Sequence, residues 1–367
     1  MSPIQFVIID LTKDPIIVEH STCLEKTGES FESFLKDIVH KCGYEEIAKE
    51  ALADRPKKPR FRDFSFMRTS GAGKNCKKDG GPGNDIVASI IRYVKLNDRY
   101  IALTSLLTKS YLYHLVLGDN SEVGRKQIRG LPRTQAGKPY IPSNESEVSL
   151  LPFNISHQFP FIGLAYLDGS MQSSSYMIGV DIVMFDSYKD TQHLYASTDD
   201  FLNVFHDSFA AREWDQIQSS STSGGTDGDS ARIKEFFIRW SIKEAYTKAL
   251  GTGLGTDFQS FDTRLYSKGD TEERQLCTWV LTEKSGTHLR GNVIHSDDKE
   301  DEKWDFVFVQ LFRECHGDAQ PDAPVGCACI CVGPKDESNY TSLSQVTQSS
   351  STLKELIDYH IGESTRH

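Results

Sequence analysis

Glu244 and Lys248 stand four residues apart in the run Phe236-Phe237-Ile238-Arg239-Trp240-Ser241-Ile242-Lys243-Glu244-Ala245-Tyr246-Thr247-Lys248. On a helix that spacing puts them on one face, acid first, which is the favourable order. A surface ion pair is one reading. The other is a base or metal ligand close to a phosphate, because Trp240 precedes Glu244 on the same stripe and Lys243 adds a second cation. Asp181 is the second candidate, alone in Ile178-Gly179-Val180-Asp181-Ile182-Val183. A carboxylate in so apolar a strand is costly unless it is paired, hydrogen-bonded or bound to a cation. A capping or turn carboxylate is the plainer alternative.

Two further segments carry groups suited to anions. Phe153-Asn154-Ile155-Ser156-His157 places a hydroxyl beside an imidazole. As strand neighbours the two point to opposite faces, and no Gly-x-Ser-x-Gly elbow surrounds Ser156, so a hydrolytic triad is rejected. A histidine donating to a phosphate is the better reading. Arg133-Thr134-Gln135-Ala136-Gly137-Lys138-Pro139-Tyr140 offers two cations on a Gly/Pro loop, which suits a phosphate or a plain exposed turn. Ser70-Gly71-Ala72-Gly73-Lys74-Asn75 fails as a P-loop, lacking the first glycine, the Ser/Thr after Lys and a preceding strand. Gly251-Thr252-Gly253-Leu254-Gly255 follows a helix and is no dinucleotide fingerprint.

These groups need elements to hold them. Ile4–Ile9, Pro160–Leu167, Met177–Phe185, Leu276–Leu281, Trp304–Phe312 and Val325–Val332 read as strands. Asp98–Val116 and Ile233–Leu250 read as helices, the second with Ile233, Phe236, Phe237 and Trp240 on one stripe and Gly251 as a left-handed C-cap. Thr352 and Glu355 open a last amphipathic helix as a capping box. Cys327, Cys329 and Cys331 alternate among Ala, Ile and Val, which favours one buried strand face over a zinc site. Residues 69–85, 219–230 and 335–351 are polar and read as loops. Strands mixed with single helices predict an α+β fold with antiparallel sheets.

Composition excludes several classes. The 367 residues are 38% hydrophobic and 25% charged, a globular balance. The net charge of −11 argues against a nucleic-acid partner, although one local phosphate site stays possible. No apolar run is long enough to span a membrane, and Met1-Ser2-Pro3-Ile4-Gln5-Phe6 lacks a secretory pattern. A cytoplasmic enzyme or binding protein is expected, with reduced cysteines.

Taken in order, Gly137-Lys138-Pro139, Phe153-Asn154-Ile155-Ser156-His157, Gly179-Val180-Asp181 and Trp240-Ser241-Ile242-Lys243-Glu244-Ala245-Tyr246-Thr247-Lys248 resemble the 4′-phosphopantetheinyl transferases. Thr247 to Asp257 and Leu356-Ile357-Asp358-Tyr359 are similar to the fungal subgroup that activates α-aminoadipate reductase of lysine biosynthesis. The resemblance implies a pseudo-dimer of two α+β halves with coenzyme A in the cleft between them. It divides the chain into 1–175, 176–333 and a tail, 334–367. It implies transfer of 4′-phosphopantetheine from coenzyme A to a serine of an apo carrier domain, by a monomer. Asp181 and Glu244 would hold Mg²⁺, and Glu244 would also be the base. Lys248 would neutralise the leaving group. Arg133, Lys138 and Lys243 would bind phosphates, and Ser156 and His157 would meet the 3′-phosphate region, with Lys95 or Arg99 assisting. Trp240 would pack. Many members carry a third metal carboxylate where this chain has Val183. A non-catalytic coenzyme A or carrier-domain binding protein of the same fold is the alternative.

Overall fold

A computed structural model describes residues 4–12, 14–18, 31–42, 86–117, 134, 138–142, 150–167, 176–220, 228–266, 276–282, 287–295, 302–313, 323–334 and 346–364. Along the chain lie β1 (Ile4–Asp10), α1 (Phe31–Lys41), α2 (Ile86–Ile91), α3 (Leu96–Leu117), β2 (Ile141–Pro142), β3 (Leu150–Leu151), β4 (Phe153–Gln158) and β5 (Phe161–Leu167). There follow β6 (Met177–Met184), α4 (Ser187–Thr191), α5 (Thr198–Asn203), α6 (Ala211–Ser219), α7 (Gly228–Leu250) and β7 (Phe261–Tyr266). Last come α8 (Leu276–Thr282), β8 (Thr287–His295), β9 (Glu302–Leu311), β10 (Gly326–Gly333), β11 (Val346–Ser351) and α9 (Leu353–Ser364).

The strands form two main sheets, ordered β11-β1-β5-β4 and β6-β10-β9-β8-β7, beside the small β2-β3 pair. The second sheet is antiparallel throughout. The first is antiparallel except that β11 runs parallel to β1. The fold is α+β, as the pattern predicts. Among the described residues no helix is long and apolar enough to cross a membrane.

Period-two alternation divides β6 between two cores. Val180, Ile182 and Met184 join Ile4 and Phe6 of β1 and Ala328, Ile330 and Val332 of β10 in one apolar cluster, which both sheets share. On the other face Val183 meets the cluster built around α7. Cys327, Cys329 and Cys331 are buried in that same cluster without forming disulfides, and burial pushes the Cys327 and Cys329 thiols to high pKa. They are a packed strand face, as alternation predicts. A third cluster, around α1, α2 and α3, takes in Leu353, Leu356 and Ile357 of α9.

Two expected elements differ. Leu276–Leu281, expected as a strand, is helix α8. A short apolar run has no decisive period. What decides is Glu235 of α7, whose carboxylate accepts from the N–H groups of Leu276 at 3.4 Å and Cys277 at 2.8 Å, satisfying a helix N-terminus. Within the expected loop 335–351, residues 346–351 form β11, which gains its partner from the other end of the chain: Ile4 pairs with Val346 and Ile9 with Ser351. The Thr352 capping box forms as expected, with Glu355 N–H donating to Thr352 Oγ1 at 3.0 Å and Thr352 N–H to Glu355 Oε2 at 2.8 Å. Residues 69–85 lie outside the described residues. The flanks of the expected loop 219–230 are helical ends, Ser219 closing α6 and Gly228 opening α7.

Candidate functional site

Gly179 brings β6 and α7 together. A Cβ at this residue would lie 1.9 Å from the carbonyl oxygen of Ala245 and 2.5 Å from the amide nitrogen of Ala249, so only a residue without a side chain lets the helix backbone sit on the strand. Asp181 is two residues on and faces the same way. Glu244 and Lys248 flank the Ala245–Ala249 stripe, and the close approach delivers both to Asp181. The helix ends directly afterwards. Gly251 has φ 83°, and its N–H donates to Lys248 O at 3.2 Å, with Thr252 N–H reaching Thr247 O at 3.1 Å.

The Lys248 ammonium donates to Asp181 Oδ1 at 2.5 Å and to Ser156 Oγ at 3.2 Å, and it lies 3.9 Å from Glu244 Oε2. Ser156 Oγ donates to Asp181 Oδ1 at 3.1 Å and accepts from Ile182 N–H at 3.3 Å. The side chains of Lys248, Glu244 and Asp181 keep 27%, 12% and 9% of their exposure, so the cluster is screened but reachable. Burial pushes Glu244 up to about 7; Lys248 opposes that shift and the Asp181 charge adds to it. Such a carboxyl changes protonation near neutral pH, as a general base must.

His157 follows Ser156 and lies on the opposite face of β4, partly exposed and partly covered. The loss of water around its ring lowers its pKa, and the nearby charges of Lys248 and of Lys109 on α3 lower it further. The imidazole and two lysines thus share one electropositive neighbourhood.

The other expected phosphate ligands fare differently. Lys243 is corrected. It is wholly buried, paired with Glu213 at 2.7 Å, donating to the carbonyls of Phe258 and Phe261 and lying over the Phe261 ring, so no phosphate can reach it. Ser156 Oγ is hydrogen-bonded to Asp181, Lys248 and the β6 backbone. Lys138 sits in a turn closed by Thr134, yet its ammonium donates to the backbone carbonyls of Ile178 and Ala249, and burial lowers it to about 8. A phosphate would have to displace both carbonyls. Arg99 donates to Tyr93 O at 2.6 Å and covers the Phe31 ring, while Lys95 is exposed at the start of α3. Lys109, ten residues beyond Arg99 and so about 15 Å further along the helix, is the α3 cation that acts on His157. Arg133 lies outside the described residues. Trp240 packs among Phe205, Phe209, Phe236 and Phe258, as expected.

Sequence reading missed Lys109 and Glu213. Lys109 carries no local mark, being one of several polar residues along its helix. Glu213 precedes its partner by 30 residues with no motif to join them.

Two carboxylates near one ammonium form an all-oxygen acidic pair. Val183 is buried in the apolar core and offers no oxygen. Among the described residues no group of three His, Cys, Asp or Glu side chains gathers as a metal site.

The sequence comparisons point to the same segment. The 4′-phosphopantetheinyl transferase superfamily model matches residues 177–302. A phosphopantetheinyl transferase of Thraustochytrium sp. is 30% identical over 44% of this chain and 50% of its own length. The L-aminoadipate-semialdehyde dehydrogenase-phosphopantetheinyl transferases of Xenopus laevis and Schizosaccharomyces pombe are 27% and 32% identical, over 56% and 45% of this chain and 58% and 57% of their own lengths. The chain thus spans about half the length of the curated relatives it matches. Asp181, Glu244 and Lys248 all lie within the segment that matches the 4′-phosphopantetheinyl transferase superfamily model.

Proposed function

We propose that this protein transfers 4′-phosphopantetheine from coenzyme A to a serine hydroxyl of an apo carrier domain, releasing 3′,5′-ADP. The observation that carries the reading is the convergence of Asp181, Glu244 and Lys248 within the segment that matches the superfamily. The carrier is that of α-aminoadipate reductase, on the strength of the names its relatives bear. The reading divides the chain near residue 175, with coenzyme A held between the halves. It also has the protein working as a cytoplasmic monomer without nucleic acid or membrane.

Asp181 and Glu244 fit Mg²⁺, because both carboxylates reach one ammonium and this ion is commonly held by one or two carboxylates plus phosphates and water. When bound, Mg²⁺ supplies charge neutralisation for the coenzyme A diphosphate. Glu244 accepts the proton of the carrier serine, a task suited to a carboxyl near pH 7. The serine oxygen forms a bond to the β-phosphorus as the bond to the bridging oxygen breaks. Lys248 faces the charge that develops on that oxygen. Lys109 supplies positive potential beside it, and His157, held neutral by burial and by the lysine charges, offers a ring N–H donor for the further phosphate of the nucleotide.

Intact-mass spectrometry tests the reading. The purified protein, the apo carrier of α-aminoadipate reductase, coenzyme A and Mg²⁺ should yield a carrier heavier by one phosphopantetheine, and EDTA should abolish the gain. An unmodified carrier, with coenzyme A nevertheless bound, would replace transfer by binding alone.

A further inference from the structure

β6 and β4 are the facing edges of two different sheets, and they do not pair backbone to backbone. An edge strand leaves a row of N–H and C=O groups in need of partners. Here side chains from the N-terminal part of the chain supply them at a regular spacing of two. Lys138 Nζ donates to Ile178 O. Asn154 Oδ1 accepts from Val180 N–H at 2.9 Å, Ser156 Oγ from Ile182 N–H at 3.3 Å, and Gln158 Oε1 from Met184 N–H at 2.8 Å. Gln158 Nε2 also donates to Ser187 Oγ at 2.5 Å, which ties the start of α4 to the same rung. The alternation Asn154-x-Ser156-x-Gln158 on β4 therefore meets the alternation Val180-x-Ile182-x-Met184 on β6.

We propose that this ladder is a register-setting seam, and that Asn154 and Gln158 are positioning residues for Asp181 and Lys248. The middle rung carries the consequence. Ser156 Oγ binds Ile182 N–H, Asp181 and Lys248 together, so a slip of β4 along β6 moves the hydroxyl away from both charged groups. It also moves His157, the neighbour of Ser156, relative to Lys248. The outer rungs hold the middle one in place without touching the acidic pair. Misplacement by about 1 Å costs catalysis on the order of a hundredfold, so a small slip suffices. The role in transfer rests on the function proposed above.

Two pairs of substitutions test the seam. Asn154→Leu and Gln158→Met keep roughly the size and remove the acceptor. Asn154→Asp and Gln158→Glu keep an oxygen acceptor at the same place. Deuterium exchange of the Met177–Met184 segment and transfer kinetics are read on all four and on the unaltered protein. The apolar variants should exchange faster in β6 and lose kcat by about tenfold or more, with the KM for coenzyme A within about threefold. The carboxylate variants should return to within about twofold of the unaltered kcat. Unchanged β6 exchange in the apolar variants would overturn the seam. Faster exchange with an unaltered kcat, or carboxylate variants as slow as the apolar ones, would overturn the positioning role. If the unaltered protein transfers nothing, the proposed reaction fails and the positioning role with it, while the exchange data still report separately on the seam.

Discussion

Helix α7 carries two lysine–carboxylate pairs five residues apart, and they have opposite characters. Lys243 and Glu213 are both wholly shielded from solvent. Glu213 also accepts from Ala210 N–H, Thr263 N–H and Thr263 Oγ1, and Lys243 donates to two carbonyls, so both groups are saturated. Lys248 and Asp181 keep partial access to solvent and have a second carboxylate, Glu244, alongside. The same two functional groups therefore build a fixed strut at one site and a reactive cluster at the other. What separates them is unused bonding capacity together with access, and residue type alone carries neither.

The comparison can be sharpened by experiment. Glu244→Gln has the largest expected effect: kcat falls by about 10²- to 10⁴-fold, the usual weight of a general base, while coenzyme A still binds. Equal kcat for this variant would move the base elsewhere. Lys243→Met should cost about 3–5 kcal/mol of stability in chemical denaturation, because Glu213 is left charged and buried. Adding Glu213→Gln to it should recover a large part of that loss, since the stranded charge is gone. Lys248→Met should change stability by about 1 kcal/mol or less, the usual scale for a pair still open to water, yet reduce transfer sharply. If Lys243→Met and Lys248→Met lost stability equally, the contrast between strut and cluster would collapse.

Acidity provides the smallest test. Glu244 holds its proton to about pH 7 in the folded chain against 4.5 normally, so the folded state binds the proton more tightly. Stability should therefore fall as pH rises from about 4.5 to 7 and level off above that range. Glu244→Gln should remove this component of the slope.

Much of the site was legible because its motifs are short and periodic. Gly179, Asp181, Glu244 and Lys248 follow from one strand period, one helix period and one glycine that lets them meet. Trp240 and the Cys327–Cys331 ladder read correctly as packing for the same reason. Lys243 misled because spacing along a helix gives no sign of which face is enclosed; its burial depends on Glu213, Phe258 and Phe261, which no local pattern links to it. The surroundings of Ser156 and Lys138 were not legible, because nothing local to either residue marks its partners. Their actual partners are backbone groups of β6 and α7, which are invisible until the two sheets are placed. Helix α8 and strand β11 were missed because Glu235 and β1, distant in the chain, determine them.

The parallel pairing of β1 with β11 has a consequence for synthesis. Ile4 leaves the ribosome 342 residues before its partner Val346. At about 5–20 residues per second, β1 waits about 20–70 s for that edge to be covered. Its other edge can be closed by β5 much earlier, and every strand of the second sheet is translated before β11. A strand made long before its partner is thus among the last to be completed, and through that interval its open edge is a natural target for chaperones and for misplaced strands of neighbouring nascent chains.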